Sequence, residues 1–172
     1  YLYSISPVPV GYTYTGATTT GYTVKVRIAQ VGGGATLDAA GEYLVQVPEA
    51  NPWLGEAGLY LHAGNLVTLA SNFYYGGWYY SPADTTGTNV EILDLANPAA
   101  PAKRWSARIS GSLVSSRRIG DRIYLITRFT PYVPGYIRYA STEAQRTANA
   151  ALLAATPVEA LLPQVSVNGG AA

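Results

Sequence analysis

The chain contains no cysteine. Disulfides, zinc–thiolate sites, iron–sulfur clusters and thiol catalysis are therefore excluded within these residues. Methionine is also absent, position 1 included, and the chain opens on an apolar, strand-like run, Tyr1-Leu2-Tyr3-Ser4-Ile5-Ser6. That opening creates the expectation of a processed chain or of part of a longer polypeptide. His62 is the only histidine, so a multi-histidine metal site cannot be assembled here. Charged residues make up 12% of the chain, about half the usual share. The net charge of +1 gives no electrostatic reason to bind nucleic acid or an anionic membrane. No run is long enough for a transmembrane helix, and no signal peptide is visible.

What replaces charge is tyrosine, threonine, serine, glycine and asparagine. Fifteen tyrosines stand against two phenylalanines, and arginine outnumbers lysine nine to two. Tyrosine buries its ring while keeping a hydroxyl for water or a partner. This balance fits an extracellular protein. With 172 residues, 48% of them hydrophobic, the chain is long enough for one domain with a real core.

The periodicity is that of strands. Val24-Lys25-Val26-Arg27-Ile28 alternates with period two, as a half-buried strand does. Tyr43 to Val47 follows and stops at Pro48. Leu59-Tyr60-Leu61-His62 and Leu66-Val67-Thr68-Leu69 flank Ala63-Gly64-Asn65, a hairpin signature. Asn89 to Leu95 alternates and ends at Asn97-Pro98, where proline blocks further pairing. Residues 105–109, 113–119 and 122–127 read as further strands, separated by Ser110-Gly111-Ser112 and Gly120-Asp121. Gly32-Gly33-Gly34 precedes no helix and has no Lys-Ser/Thr partner, so it reads as a hairpin loop and not as a phosphate cradle. Residues 141–155 differ. They are rich in Ala, Leu, Gln, Glu and Arg, with Thr142 and Gln145 spaced as a capping box and Pro157 as the stop.

The chain also repeats itself. Residues 59–73 can be laid on residues 115–129, with Gly64 on Gly120 and Phe73 on Phe129, a separation of 56. A β repeat of this size, with four strand signals per period, predicts propeller blades. The expected fold is all-β: a partial β-propeller of about three blades or fewer, with long loops and one short surface helix near 142–155. The 172 residues are expected to form a single propeller fragment, incomplete at both ends, because a closed propeller needs at least about four blades.

Three stretches carry a resemblance. Residues 88–101 close with Asp94 and Asn97-Pro98-Ala99-Ala100-Pro101, like the end of a blade. Residues 111–127 contain Ser116-Arg117, Ile119-Gly120 and Tyr124-Leu125-Ile126-Thr127, and residues 161–169 contain Leu161-Leu162-Pro163 and Asn168-Gly169. Together they resemble secreted bacterial proteins with a C-terminal β-propeller domain distantly related to WD-type propellers. The resemblance covers residues 57–170, and residues 1–56 rest on their strand pattern. It implies a propeller, export from the cytoplasm, a domain larger than this chain and no catalytic residues to carry over.

No cofactor or metal site is expected. Glu56, Glu91, Asp94 and Asp121 are scattered over different strands, with Asp94 and Asp121 suited to turns. Arg117 and Arg118 fall on opposite faces of one strand, which disfavours a shared anion site and favours contacts between blades. Residues 73–82 stand out, with Phe73, Tyr74, Tyr75, Trp78, Tyr79 and Tyr80 around a glycine pair. Such a loop packs on its own blade, on a neighbouring blade or subunit, or on a sugar. Tyr132 and Tyr136, and the early Tyr12-Thr13-Tyr14 loop, extend the theme. The expected function is non-catalytic: an extracellular, cell-surface or periplasmic interaction or scaffold module. Its partners would be proteins or the remaining blades of the same polypeptide in a larger assembly. The alternative is a carbohydrate- or polymer-binding propeller, hydrolytic in one version, with Glu91 and Asp94 as its carboxylates.

Overall fold

The computed structural model describes residues 1–9, 22–45, 54–72 and 87–168. These form three stacked antiparallel sheets and one helix. The first sheet joins β1 (Leu2–Pro9), β2 (Tyr22–Val31) and β3 (Leu37–Val45) in that order. The second joins β4 (Leu54–His62), β5 (Asn65–Asn72), β6 (Gly87–Asp94) and β7 (Ala102–Ser110) as a four-stranded meander. The third is the hairpin of β8 (Ser112–Ile119) and β9 (Arg122–Arg128). The first strand of the second sheet, β4, lies between the first strands of the other two, β1 and β8. Consecutive four-stranded meanders stacked through their first strands are the blades of a propeller, so the expected all-β partial propeller is the observed fold.

Burial follows from the side-chain patterns. In β2, Val24, Val26 and Ile28 are buried against the second sheet, while Lys25 and Arg27 point away and meet Glu42. In β5, every residue from Leu66 to Ser71 is buried. A continuous buried run means that both faces of the second sheet are covered. Leu66 and Ala70, with Leu93 and Leu95, pack on the first sheet. Val67, Leu69 and Val90 pack on Leu113 of the third. Two glycines let backbones approach. A side chain on Gly41 would strike Pro98 and Ala99, and Gly111, at φ +98°, lies against the carbonyl of Arg128.

Both stretches of the sequence repeat form antiparallel hairpins, and their turns are offset by one residue from the sequence match. The strand pairs close on Ala63-Gly64 in the β4–β5 hairpin and on Gly120-Asp121 in the β8–β9 hairpin. Ala63 therefore corresponds to Gly120, and Gly64 to Asp121. In the first turn both central residues have positive φ, 47° and 73°, whereas in the second only Gly120 does. These are the signatures of type I′ and type II′ turns. Each first strand also carries a bulge before its turn. The one-residue correction moves every side chain to the opposite face. With it, the face of β9 that holds Ile123 and Leu125 matches the face of β5 that holds Leu66 and Thr68. Each of these faces meets the preceding sheet, as successive blades require.

After β9 the chain makes an irregular connection and enters α1 (Glu143–Ala155). The expected capping box is present. Thr142 Oγ1 accepts from the Gln145 amide at 3.2 Å, and Gln145 Oε1 accepts from the Thr142 amide at 3.2 Å. A 3-10 turn over Val158–Leu161 leads to β10 (Val165–Val167), which pairs antiparallel with β7 as a fifth strand on the second sheet.

Candidate functional site

The residues named from sequence divide into two groups. Phe73, Tyr74, Tyr75, Trp78, Tyr79 and Tyr80 lie outside the described residues, as do Tyr12 and Tyr14. Tyr132 and Tyr136 are described, and both are exposed on the connection between β9 and α1. The structure adds Ile137 and Tyr139 to them, with Tyr139 79% exposed and the Arg138 guanidinium 5.9 Å from its ring centroid.

This aromatic connection is held in place by the helix. Asn149, the buried residue of α1, accepts from the Ile137 amide through Oδ1 at 2.9 Å and donates from Nδ2 to the Ile137 carbonyl at 2.7 Å. Both backbone groups of one loop residue are thus satisfied by one side chain. The Tyr136 amide closes a turn on the Val133 carbonyl at 3.1 Å, with Gly135 at φ +84°. The helix therefore presents the loop in one fixed shape. Asn149 was not singled out from sequence, because an asparagine inside a helical pattern carries no mark of its partner.

The outer face of the third sheet is the second component. Alternation along β9 puts Arg122, Tyr124, Ile126 and Arg128 on the side away from the second sheet. Tyr124 is 52% exposed and Ile126 61%. Across the hairpin, Arg117 pairs with Tyr124 and Ile119 with Arg122, and both are exposed. Among the described residues, no carboxylate lies within ion-pair distance of Arg117, Arg122 or Arg128. The expected split of the Arg117-Arg118 pair is observed. Arg118 faces inward and donates to His62 Nδ1 at 2.6 Å. Arginine has no acceptor, so Nδ1 carries the lone pair in this contact. Beside it, the Tyr60 hydroxyl meets Ser116 Oγ at 2.6 Å. His62 is thus a turn-flanking residue that joins two blades.

Glu91 and Asp94, the two carboxylates of the hydrolytic alternative, both have structural partners. Glu91 is buried at 1% exposure between the first two sheets, and Lys103 Nζ stands 3.4 Å from its Oε1. Burial pushes the Tyr43 phenol above the ordinary tyrosine range, and the neighbouring Glu91 charge adds to that. Asp94 accepts from the Ala96 amide at 2.9 Å and pairs with Arg104. The amide bond first and Arg104 second hold its carboxyl below the usual aspartate value. It is the turn tether expected from sequence. Among the described residues, no three His, Cys, Asp or Glu side chains come close enough to hold a metal ion. No described helix is long and apolar enough to cross a membrane, which says nothing about strands.

Comparison with known proteins agrees with the architecture. No curated protein matches the chain, and no solved structure does. A family model described as a beta propeller domain matches residues 20–172. Stacked meanders and that match lead to one conclusion: the chain belongs to the beta propeller domain family.

Proposed function

We propose that this chain is part of a non-catalytic interaction or scaffold propeller, working outside the cytoplasm within a larger protein or assembly. The observation that carries the reading is the surface just described: an aromatic loop pinned by Asn149 next in sequence to a sheet face of Tyr124, Ile126 and the exposed Arg122 and Arg128. Tyrosine and arginine are the residues from which protein interfaces draw most of their binding energy. Pinning the loop lowers the entropy lost on binding. The carboxylates that a hydrolytic reading needs are used otherwise. Glu91 is enclosed between sheets, and Asp94 closes a turn. The scarcity of charge and the excess of tyrosine support the extracellular setting.

The test is a photo-cross-linking amino acid in place of Tyr136, carried by the full-length protein in its own cells. Protein adducts in the envelope or extracellular fraction are the expected result. Adducts with polysaccharide alone, or recovery of the protein only in the cytoplasm, would overturn the reading.

A further inference from the structure

We infer that the junction between the first and second sheets contains a binding site for one internal water molecule, held between Thr68 and Glu91.

Both residues belong to the face of the second sheet that meets the first. In β5, Thr68 lies between Leu66 and Ala70 on that face. In β6, Glu91 is its direct cross-strand partner, next to the pair of Leu66 and Leu93. Thr68 is fully buried and Glu91 is 1% exposed. Val24, Val26 and Val45 of the first sheet and Leu66, Ala70 and Leu93 of the second wall the same layer, with Tyr43 of β3 beside Glu91.

Buried polar atoms in folded proteins are almost all hydrogen-bonded. Here Thr68 Oγ1 and Glu91 Oε2 have no partner among the described residues. They do not bond each other, although residues directly opposite across two strands stand only about 5 Å apart at Cβ. Two buried oxygens on neighbouring side chains, both unsatisfied, are the polar partners that an internal water requires. A water there donates to Glu91 Oε2 and shares its second bond with the Thr68 hydroxyl, which can donate or accept.

The charge of the site selects the guest. Lys103 Nζ stands 3.4 Å from Glu91 Oε1, so the carboxylate already has its counter-ion. A metal cation would add a second positive charge beside that ammonium, and an anion would meet Glu91 itself. A neutral molecule that both donates and accepts fits, and close packing of the surrounding core keeps it small. The residue type agrees. Valine has the shape of threonine and would fill the same place beside Leu66, Val67, Leu69 and Ala70 without a hydroxyl to satisfy. Because the first sheet buries both oxygens, the water enters and leaves as the two sheets part. Its residence time then measures how often this junction opens.

The test counts long-lived water in the whole chain by oxygen magnetic relaxation dispersion. Thr68→Val removes one of the two partners and should lower the count by one water per chain. Thr68→Ser keeps a hydroxyl and should retain that water. An unchanged far-ultraviolet circular dichroism spectrum verifies that each variant folds. A crystal structure of the wild-type chain reads the same site with no substitution, and should show ordered density within hydrogen-bonding distance of both oxygens. Replacing sodium and potassium by a bulky organic cation at constant ionic strength should leave the melting temperature where it was. A count that stays the same in Thr68→Val, or that falls equally in Thr68→Ser, would overturn the inference. So would a crystal structure in which Thr68 Oγ1 bonds a protein atom directly. A melting temperature that falls in the organic cation would also overturn it, because the guest is then a metal ion.

Discussion

The two junctions between sheets are built from the same repeat and differ in depth. At the junction of the first and second sheets, Val24, Val26, Ile28 and Val45 meet Leu66, Ala70, Leu93 and Leu95, all buried. At the junction of the second and third, Val67, Leu69, Val90 and Leu113 are buried, but Ile123 and Leu125 are only half-buried. The first junction closes around a charge, Glu91 with Lys103. The second closes inside with neutral hydrogen bonds: Tyr60 to Ser116, Thr88 Oγ1 to the Gly111 carbonyl at 2.9 Å, and the Leu113 amide to Ser71 Oγ at 2.8 Å. It carries its charge only at the exposed margin, in the Arg118–His62 contact. The three-stranded first sheet encloses its contact well enough to bury an ion. The two-stranded third sheet leaves its own contact at the margin.

The comparison breaks most sharply on aliphatic truncation. Leu66→Ala, in the deep junction, should cost about 3–5 kcal/mol, and Leu125→Ala, in the shallow one, roughly 1–2 kcal/mol. Urea titrations giving equal losses would mean that the junctions are alike after all. Lys103→Ala leaves the Glu91 carboxylate enclosed without its ammonium. Lys103 itself is partly exposed, which discounts the loss to about 2 kcal/mol. Adding Glu91→Gln to Lys103→Ala should recover part of it, and a double variant worse than the single would argue that the ion pair is not what Glu91 needs. The smallest effect is expected across the shallow junction. Tyr60→Phe and Ser116→Ala should each cost about 1 kcal/mol, with a coupling between them of roughly 0.5–1 kcal/mol in a double-mutant cycle. A coupling of zero would remove that hydrogen bond from the account of how blades join.

Much of this was written in local pattern. Alternation through Val24, Val26 and Ile28 marks the buried face of β2, the Thr142 and Gln145 spacing marks the helix start, and Asp94 before Asn97-Pro98 marks a turn. The register of the repeat was not legible, for a definite reason. Glycine is the visible marker of a hairpin, yet in one turn it holds the second central position and in the other the first. Ala63 takes the positive φ that glycine would advertise. Aligning glycine on glycine therefore slips the repeat by one residue. The exposed face of β9 was hidden too, since Tyr124-Leu125-Ile126 reads as apolar throughout and says nothing about which side remains open. β10 was missed because three residues carry no period, and its partner β7 lies far back in the chain.

That last strand has a consequence for how the chain is organised. The Ser110 amide donates to the Gln164 carbonyl at 2.9 Å, and the Gln164 amide donates to Ser110 Oγ at 3.1 Å, across 54 positions of sequence. The chain thus leaves the second sheet at the end of β7 and comes back to the same spot. Everything between, the β8–β9 hairpin, the aromatic connection and α1, is one excursion whose two ends are tied at the same spot. A moored segment stays at high effective concentration against the sheet it covers, and closing so long a loop costs only slowly more entropy as its length grows. A shallow contact can therefore hold the third sheet in place, while the surface it carries is left free to change in size and sequence without disturbing the blade beneath.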